Sequence, residues 1–155
     1  MRVLVQRSKK SSVEVEGKEI NKIEKGLVLL VGFSRNDSKE VLPKMVQKII
    51  QLRIFDDEAG IMNKSILEVG GEVLSISQFT LYANTKKGNR PSYIEAKKHE
   101  EAKELYKAFN QELNKYVVTK PGIFGAEMQV KITNDGPITI LLELDSPGSD
   151  DFPKN

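Results

Sequence analysis

The sequence predicts an α+β domain with mostly antiparallel strands. Three observations carry this. Short segments alternate apolar and polar residues, as half-buried strands do. Two longer, well-separated stretches carry apolar residues at helical spacing. No glycine motif of the dinucleotide-binding or P-loop kind is present.

Residues 2–7 alternate, with Val3 and Val5 on one face and Leu4 on the other, and read as a strand. Residues 12–16 set Val13 and Val15 against Glu14 and Glu16, a strand with one wet face. Gly17-Lys18 reads as a turn into a returning strand over 19–23. Leu27-Val28-Leu29-Leu30-Val31 is too apolar for a surface strand and reads as a central one.

Asp37-Ser38-Lys39-Glu40 has the form of a capping box ahead of Val41, Leu42, Met45, Val46, Ile49, Ile50 and Leu52. Pro43 conflicts with a helix starting there, because beyond the first turn proline removes a hydrogen bond and clashes. Either the helix starts later or its first turns are distorted. Residues 53–55 and 61–62 flank a hairpin-like turn at 56–60, and Gly70-Gly71 is a second break.

Residues 72–78 alternate again and deliver Ser77-Gln78-Phe79-Thr80 at a strand end. A polar loop over 84–91 carries Lys86, Lys87 and Arg90. A second helix is predicted over 92–115, with Ala102, Leu105, Tyr106, Phe109 and Leu113 as its stripe. Val117-Val118 is a short strand candidate. Strands over 127–133 and 138–144 are joined through Asn134-Asp135-Gly136-Pro137. Residues 1–145 make a single domain, and 146–155, with Pro147, Gly148 and Pro153, a flexible tail.

Composition removes whole classes of chemistry. There is no cysteine, so thiolate nucleophiles and disulfides are excluded. One histidine, His99, is too few for an ordinary zinc site, and any Ser-His-Asp arrangement would have to use it. No metal and no cofactor are expected. No apolar run approaches the ~20 residues of a membrane helix, and the N-terminus lacks the apolar stretch of a signal peptide, so a cytoplasmic protein is expected. A net charge of +2 predicts that any nucleic acid is held over a small patch rather than wrapped.

Two segments carry a resemblance. Residues 77–83, Ser-Gln-Phe-Thr-Leu-Tyr-Ala, and 134–140, Asn-Asp-Gly-Pro-Ile-Thr-Ile, resemble the two signatures of the D-aminoacyl-tRNA deacylase family. Val5-Gln6-Arg7, residues 52–55, residues 87–92 and Phe124-Gly125-Ala126-Glu127-Met128 add matches in the same order over residues 1 to 145. Departures are small: Asn84 where Asp is more usual, Tyr93 where Phe is common, and Ile138 where Val is common.

The resemblance implies a compact, sandwich- or barrel-like antiparallel fold with two main helices outside, working as a homodimer. It implies hydrolysis of the ester bond of D-aminoacyl-tRNA. Ser77, Gln78, Phe79 and Thr80 would line the pocket for the 3′-terminal aminoacyl-adenosine. Gly136-Pro137 would be cis and project into the partner subunit's pocket. Phe124 leans to the pocket wall, and Arg7 to holding the Gly-Pro turn across the dimer.

Chemistry is consistent with this. Carbonyls accept only, and suit the α-amino group of an aminoacyl ester. If they grip it opposite the ester, chirality is read by steric exclusion, L-substrates are rejected, and glycine is accepted. Backbone N–H groups of Phe79 and Thr80 would stabilise the oxyanion. Thr80 as nucleophile and water attack assisted by the tRNA 2′-hydroxyl both remain open, the latter preferred. His99, among Lys97, Lys98, Glu100 and Glu101, reads as a solvated helix residue. Lys86, Lys87 and Arg90 are candidates for tRNA phosphates. The competing reading is a nucleic-acid-binding module of the same fold that has lost catalysis.

Overall fold

The computed structural model describes residues 1–146. The element order is β1 (Arg2–Ser8), β2 (Ser11–Val15), β3 (Lys18–Ile23), β4 (Gly26–Gly32), α1 (Val41–Gln51), β5 (Phe55–Asp56) and β6 (Met62–Lys64). Then follow α2 (Ile66–Val69), β7 (Glu72–Ser77), a 3-10 turn (Phe79–Tyr82), α3 (His99–Asn114), β8 (Thr119–Pro121), β9 (Gln129–Lys131) and β10 (Asn134–Glu143).

A five-stranded sheet, ordered β10-β1-β4-β7-β8, forms the middle layer. A three-stranded sheet, β3-β2-β9, covers one of its faces, and α1 and α3 cover the other. The sequence explains the layering. Odd positions of β1 and β4, namely Val3, Val5, Leu27, Leu29 and Val31, pack with Met45, Ile49, Phe109 and Leu113 of the helices. Val28 of β4 turns the other way, with Leu74 and Ile76 of β7, onto Val13 and Ile23. With both faces of the sheet covered, β4 is apolar at nearly every position. Among the described residues the sheets form stacked layers and no closed barrel.

Antiparallel pairs dominate, but β4–β7 and β7–β8 are parallel. Parallel neighbours need a long crossover. Here α1 and α2 lie between β4 and β7, and α3 lies between β7 and β8.

Four expectations are corrected. The capping box at Asp37–Glu40 does not form: Glu40 caps α1 with no side-chain bond. Asp37 is drawn instead to the Met1 ammonium, 2.8 Å away, and accepts from the Ser34 N–H. The helix therefore begins at Val41, and Pro43 falls in its first turn, where its missing N–H costs nothing. The capping box lies at Ser65 and Glu68, on the short helix α2, which ends at left-handed Gly70.

The second helix begins at His99, not Ser92. Residues 92–97 are instead held by bonds to distant parts of the same chain and by a turn: Ser92 pairs with Asn84, the Ala96 N–H donates to the Tyr93 carbonyl, and the Lys97 N–H donates to the Phe33 carbonyl. The strand candidate at Val117-Val118 shifts to 119–121, because the Tyr116 and Val117 N–H groups still donate to the Leu113 carbonyl at the end of α3. Finally, residues 134–137 are not a connection between strands but the start of β10. β9 pairs with β2, and β10 pairs with β1 in the other sheet. Ser146, where the tail was expected to begin, is buried and donates to Asp37. The rest of that tail lies outside the described residues.

Candidate functional site

The parallel pairing of β7 with β4 aims Ser77 at the C-terminal edge of the sheet, where ligands gather in such folds. The Gln78 N–H donates to the Val31 carbonyl at 2.7 Å, and the chain then turns through Phe79–Tyr82. Gly32 makes room for this crossing, since a Cβ there would lie 2.9 Å from the Gln78 carbonyl oxygen. Arg2 fixes the far end of the turn. Its guanidinium donates to the Leu81 carbonyl at 2.7 Å and lies 4.5 Å over the Tyr82 ring. Burial, reinforced by Asp37, pushes the Tyr82 phenol far up, so it stays neutral.

The first N–H groups of any helical turn have no partner within it. Among the described residues, neither the Phe79 nor the Thr80 N–H donates to another group. The Thr80 hydroxyl accepts from the Gln78 side-chain amide.

A cleft of about 770 Å³ opens beside this turn. Ser77, Gln78 and Phe79 form one wall, the start of α3 with Lys97, Lys98 and His99 another, and Phe124, Gly125, Ala126 and Met128 a third. Its size is that of a small-molecule site. Aromatic rings frame it: Phe79 meets Tyr93 edge-on at 5.0 Å, and His99 meets Phe124 edge-on at 5.0 Å. No carboxylate lines it, so its charge is positive. Beneath it, the Tyr106 hydroxyl donates to the Ser75 carbonyl at 2.7 Å and the Ser75 hydroxyl donates to Asn110, tying α3 to β7. Burial pushes the Tyr106 phenol up as well.

Thr80 lies just outside the lining, exposed. No hydrogen bond links His99 to Ser77 or Thr80; its Nδ1 contacts Glu100 at 3.1 Å. Lys86, Lys87 and Arg90 sit on an exposed loop closed by the Asn84–Ser92 pair, between the 3-10 turn and Tyr93 of the cleft. Among the described residues no group of His, Asp and Glu is arranged to hold a metal ion.

Gly136 and Pro137 are elsewhere. The β1–β10 register jumps from Gln6 opposite Thr139 to Ser8 opposite Asn134, so residues 135–138 bulge out. The Gly136–Pro137 peptide is cis, and both residues are exposed. Arg7 braces the bulge of its own chain. Its Nε donates to the Asp135 carbonyl at 3.0 Å, and its Nη1 donates to the Ile54 carbonyl at 2.9 Å.

In register, the bulge is level with Leu27 of β4, whereas Ser77 is level with Val31 and three strands away. That is about 13 Å along the strands and about 14 Å across them, so roughly 20 Å in all. The structure thus gathers Ser77, Gln78, Phe79 and Phe124, and leaves Gly136, Pro137 and Arg7 apart. The sequence reading made His99 a solvated helix residue, and it is exposed on α3, but its place in the cleft wall was missed because a helix starting at Ser92 sets it mid-helix among charges. As the first residue of α3 it faces the opening.

Comparison with known proteins agrees with the motifs. Residues 4–143 match the family model described as D-Tyr-tRNA(Tyr) deacylase. A solved structure of a c-Myc DNA unwinding element binding protein is 42% identical with a TM-score of 0.89, over 94% of this chain and 100% of that one. A probable eukaryotic D-amino acid tRNA deacylase shares the fold with a TM-score of 0.80 at 16% identity, over 92% of this chain and 98% of that one. The chain belongs to the D-Tyr-tRNA(Tyr) deacylase family, hydrolases that act on D-aminoacyl-tRNA.

Proposed function

We propose that this chain proofreads chirality by hydrolysing D-aminoacyl-tRNA, and glycyl-tRNA, in a site completed by a second copy of itself. One observation carries the reading. The two signature segments are both exposed yet lie roughly 20 Å apart in one chain, too far to touch one aminoacyl ester. A two-fold dimer, the commonest oligomer, would set the Gly136-Pro137 bulge of each copy in the other's cleft.

In this reading the cleft takes the 3′-terminal adenosine. The substrate's ester carbonyl points to the free N–H groups of Phe79 and Thr80. The partner copy's bulge accepts hydrogen bonds from the α-amino group. Asp135's carbonyl is occupied by Arg7, which leaves the Gly136 and Pro137 carbonyls for this. With amine and ester fixed, a D side chain points out of the site and an L side chain points into backbone. Glycine has nothing to exclude.

Water, oriented by the tRNA 2′-hydroxyl, attacks the carbonyl carbon. The oxyanion collapses, the 3′-oxygen leaves and takes a proton, and free tRNA and the amino acid result. Lys86, Lys87 and Arg90, at the rim, meet acceptor-stem phosphates. Such a substrate places the protein in the cytoplasm.

The test is turnover of D-tyrosyl-tRNA against L-tyrosyl-tRNA, with glycyl-tRNA as a third substrate. The D and glycyl esters are expected to be cleaved and the L ester spared; equal cleavage of both enantiomers would end the chirality argument. Thr80→Ala is expected to retain activity within a few-fold, because the N–H survives the substitution. A loss of about 10⁴-fold or more would assign the hydroxyl a covalent role.

A nucleic-acid-binding module without catalysis is the second reading, favoured by the description of the 42% identical structure as a DNA-element binding protein. Tight tRNA or DNA binding with no ester turnover would select it.

A further inference from the structure

His99 is a cleft residue that the hydrolytic chemistry leaves unused. Its surroundings are specific. The ring meets Phe124 edge-on at 5.0 Å, and Phe124 in turn packs on Tyr106 at 5.8 Å. Nδ1 contacts Glu100 at 3.1 Å. Nε2 is turned onto Gly125, where a Cβ would come within 2.9 Å of it. Gly125 also has φ +76°, a conformation that favours glycine, so chain geometry and the space for the imidazole demand the same residue.

Both nitrogens thus have other neighbours, neither is bonded to Ser77 or Thr80, and His99 contributes an aromatic ring to the cleft lining. Its position is fixed, because α3 is tied to β7 through Tyr106 and Asn110. Phe79 and Tyr93 line the same cleft. A cleft with aromatic lining and no carboxylate suits a planar heteroaromatic group.

We propose that His99 is a substrate-contacting wall residue whose ring face packs against the purine of the terminal nucleoside, with no proton-transfer role. This rests on the reading of the cleft as the adenosine site. Base–aromatic contacts of this kind are typically worth about tenfold or more in affinity.

The probe is 3′-amino-3′-deoxyadenosine carrying D-alanine in amide linkage, which cannot be hydrolysed at an ester. Its Kd is measured by titration calorimetry for the wild type, His99→Ala and His99→Phe. His99 is exposed, so both variants should fold. His99→Ala is expected to weaken binding roughly tenfold, and His99→Phe to restore it. In turnover the same pattern should appear in KM, with kcat little changed.

Unchanged binding by His99→Ala overturns the proposal. So does a phenylalanine variant as weak as the alanine one, since a ring nitrogen would then be essential. Failure of the wild type to cleave D-tyrosyl-tRNA would count against the deacylase reading alone, because the binding comparison does not require turnover.

Discussion

Two inactive variants are expected to give an active mixture. In the first, Ala126→Trp fills the cleft with an indole and leaves the Gly136-Pro137 bulge intact. In the second, Gly136→Ala disturbs the bulge and leaves the cleft intact. Gly136 has φ +134°, and a Cβ there would lie 2.7 Å from the Ile138 side chain and 3.0 Å from its backbone nitrogen. Each homodimer then has two defective sites. In a mixed dimer, one site combines a blocked cleft with a damaged bulge, and the other combines a sound cleft with a sound bulge.

Co-refolding equal amounts should make half the dimers mixed, and so restore about a quarter of the wild-type activity on D-tyrosyl-tRNA. A site contained within one chain predicts no recovery at all. Size-exclusion chromatography with light scattering supplies the companion result. A monomer with full activity would remove the need for a second copy.

The largest effect on stability is expected at Gly26. This residue opens the parallel pairing of β4 with β7, opposite Glu72. A Cβ built on it would sit 1.8 Å from the Glu72 carbonyl oxygen and 2.6 Å from its nitrogen. Both obstacles are backbone, so no side chain can swing aside. Gly26→Ala must push the two strands apart where β7 begins its run toward Ser77.

A loss of about 4 kcal/mol or more is expected, in the range that single substitutions reach only by such severe clashes. Gly17→Ala is the control. Gly17 has φ +76° but nothing within 4 Å, so it carries the conformational penalty alone, about 1–2 kcal/mol. Urea unfolding midpoints compare the two. If Gly26→Ala costs no more than Gly17→Ala, the close backbone approach is not what holds the strand pair.

The strands were legible where burial leaves a periodic trace. β1 and β2 alternate, and the unbroken apolar run at Leu27–Val31 marked β4 as covered on both sides; β7 is buried on both faces as well. Errors arose where a local signal met a distant partner. Asp37 looks like a helix cap, but a buried ammonium outbids a backbone N–H for its carboxylate. Residues 92–98 look helical, yet Ser92 pairs with Asn84 and Lys97 bonds to Phe33, both far off in sequence, and the helix starts only at His99.

The site divides in the same way. Ser77–Thr80 and Gly136-Pro137 were visible as motifs. Their separation was not, since it depends on the order of strands across the sheet. Nor was the brace from Arg7 within its own chain. His99 and Gly125 are far apart in sequence, and their contact exists only after folding.

The pairing of β1 with β10 joins the first strand to the last: Arg2 lies opposite Glu143. Of the described strands β1 is made first, and it keeps one edge without a neighbour until almost all of the described chain has been made. Unpaired edges of this kind invite association with other chains. Contacts so distant in sequence also slow folding. The bulge that would complete another copy's cleft thus exists only once β10 has been made and paired with β1, so a chain still lacking β10 could not lend it to a neighbour on the same message.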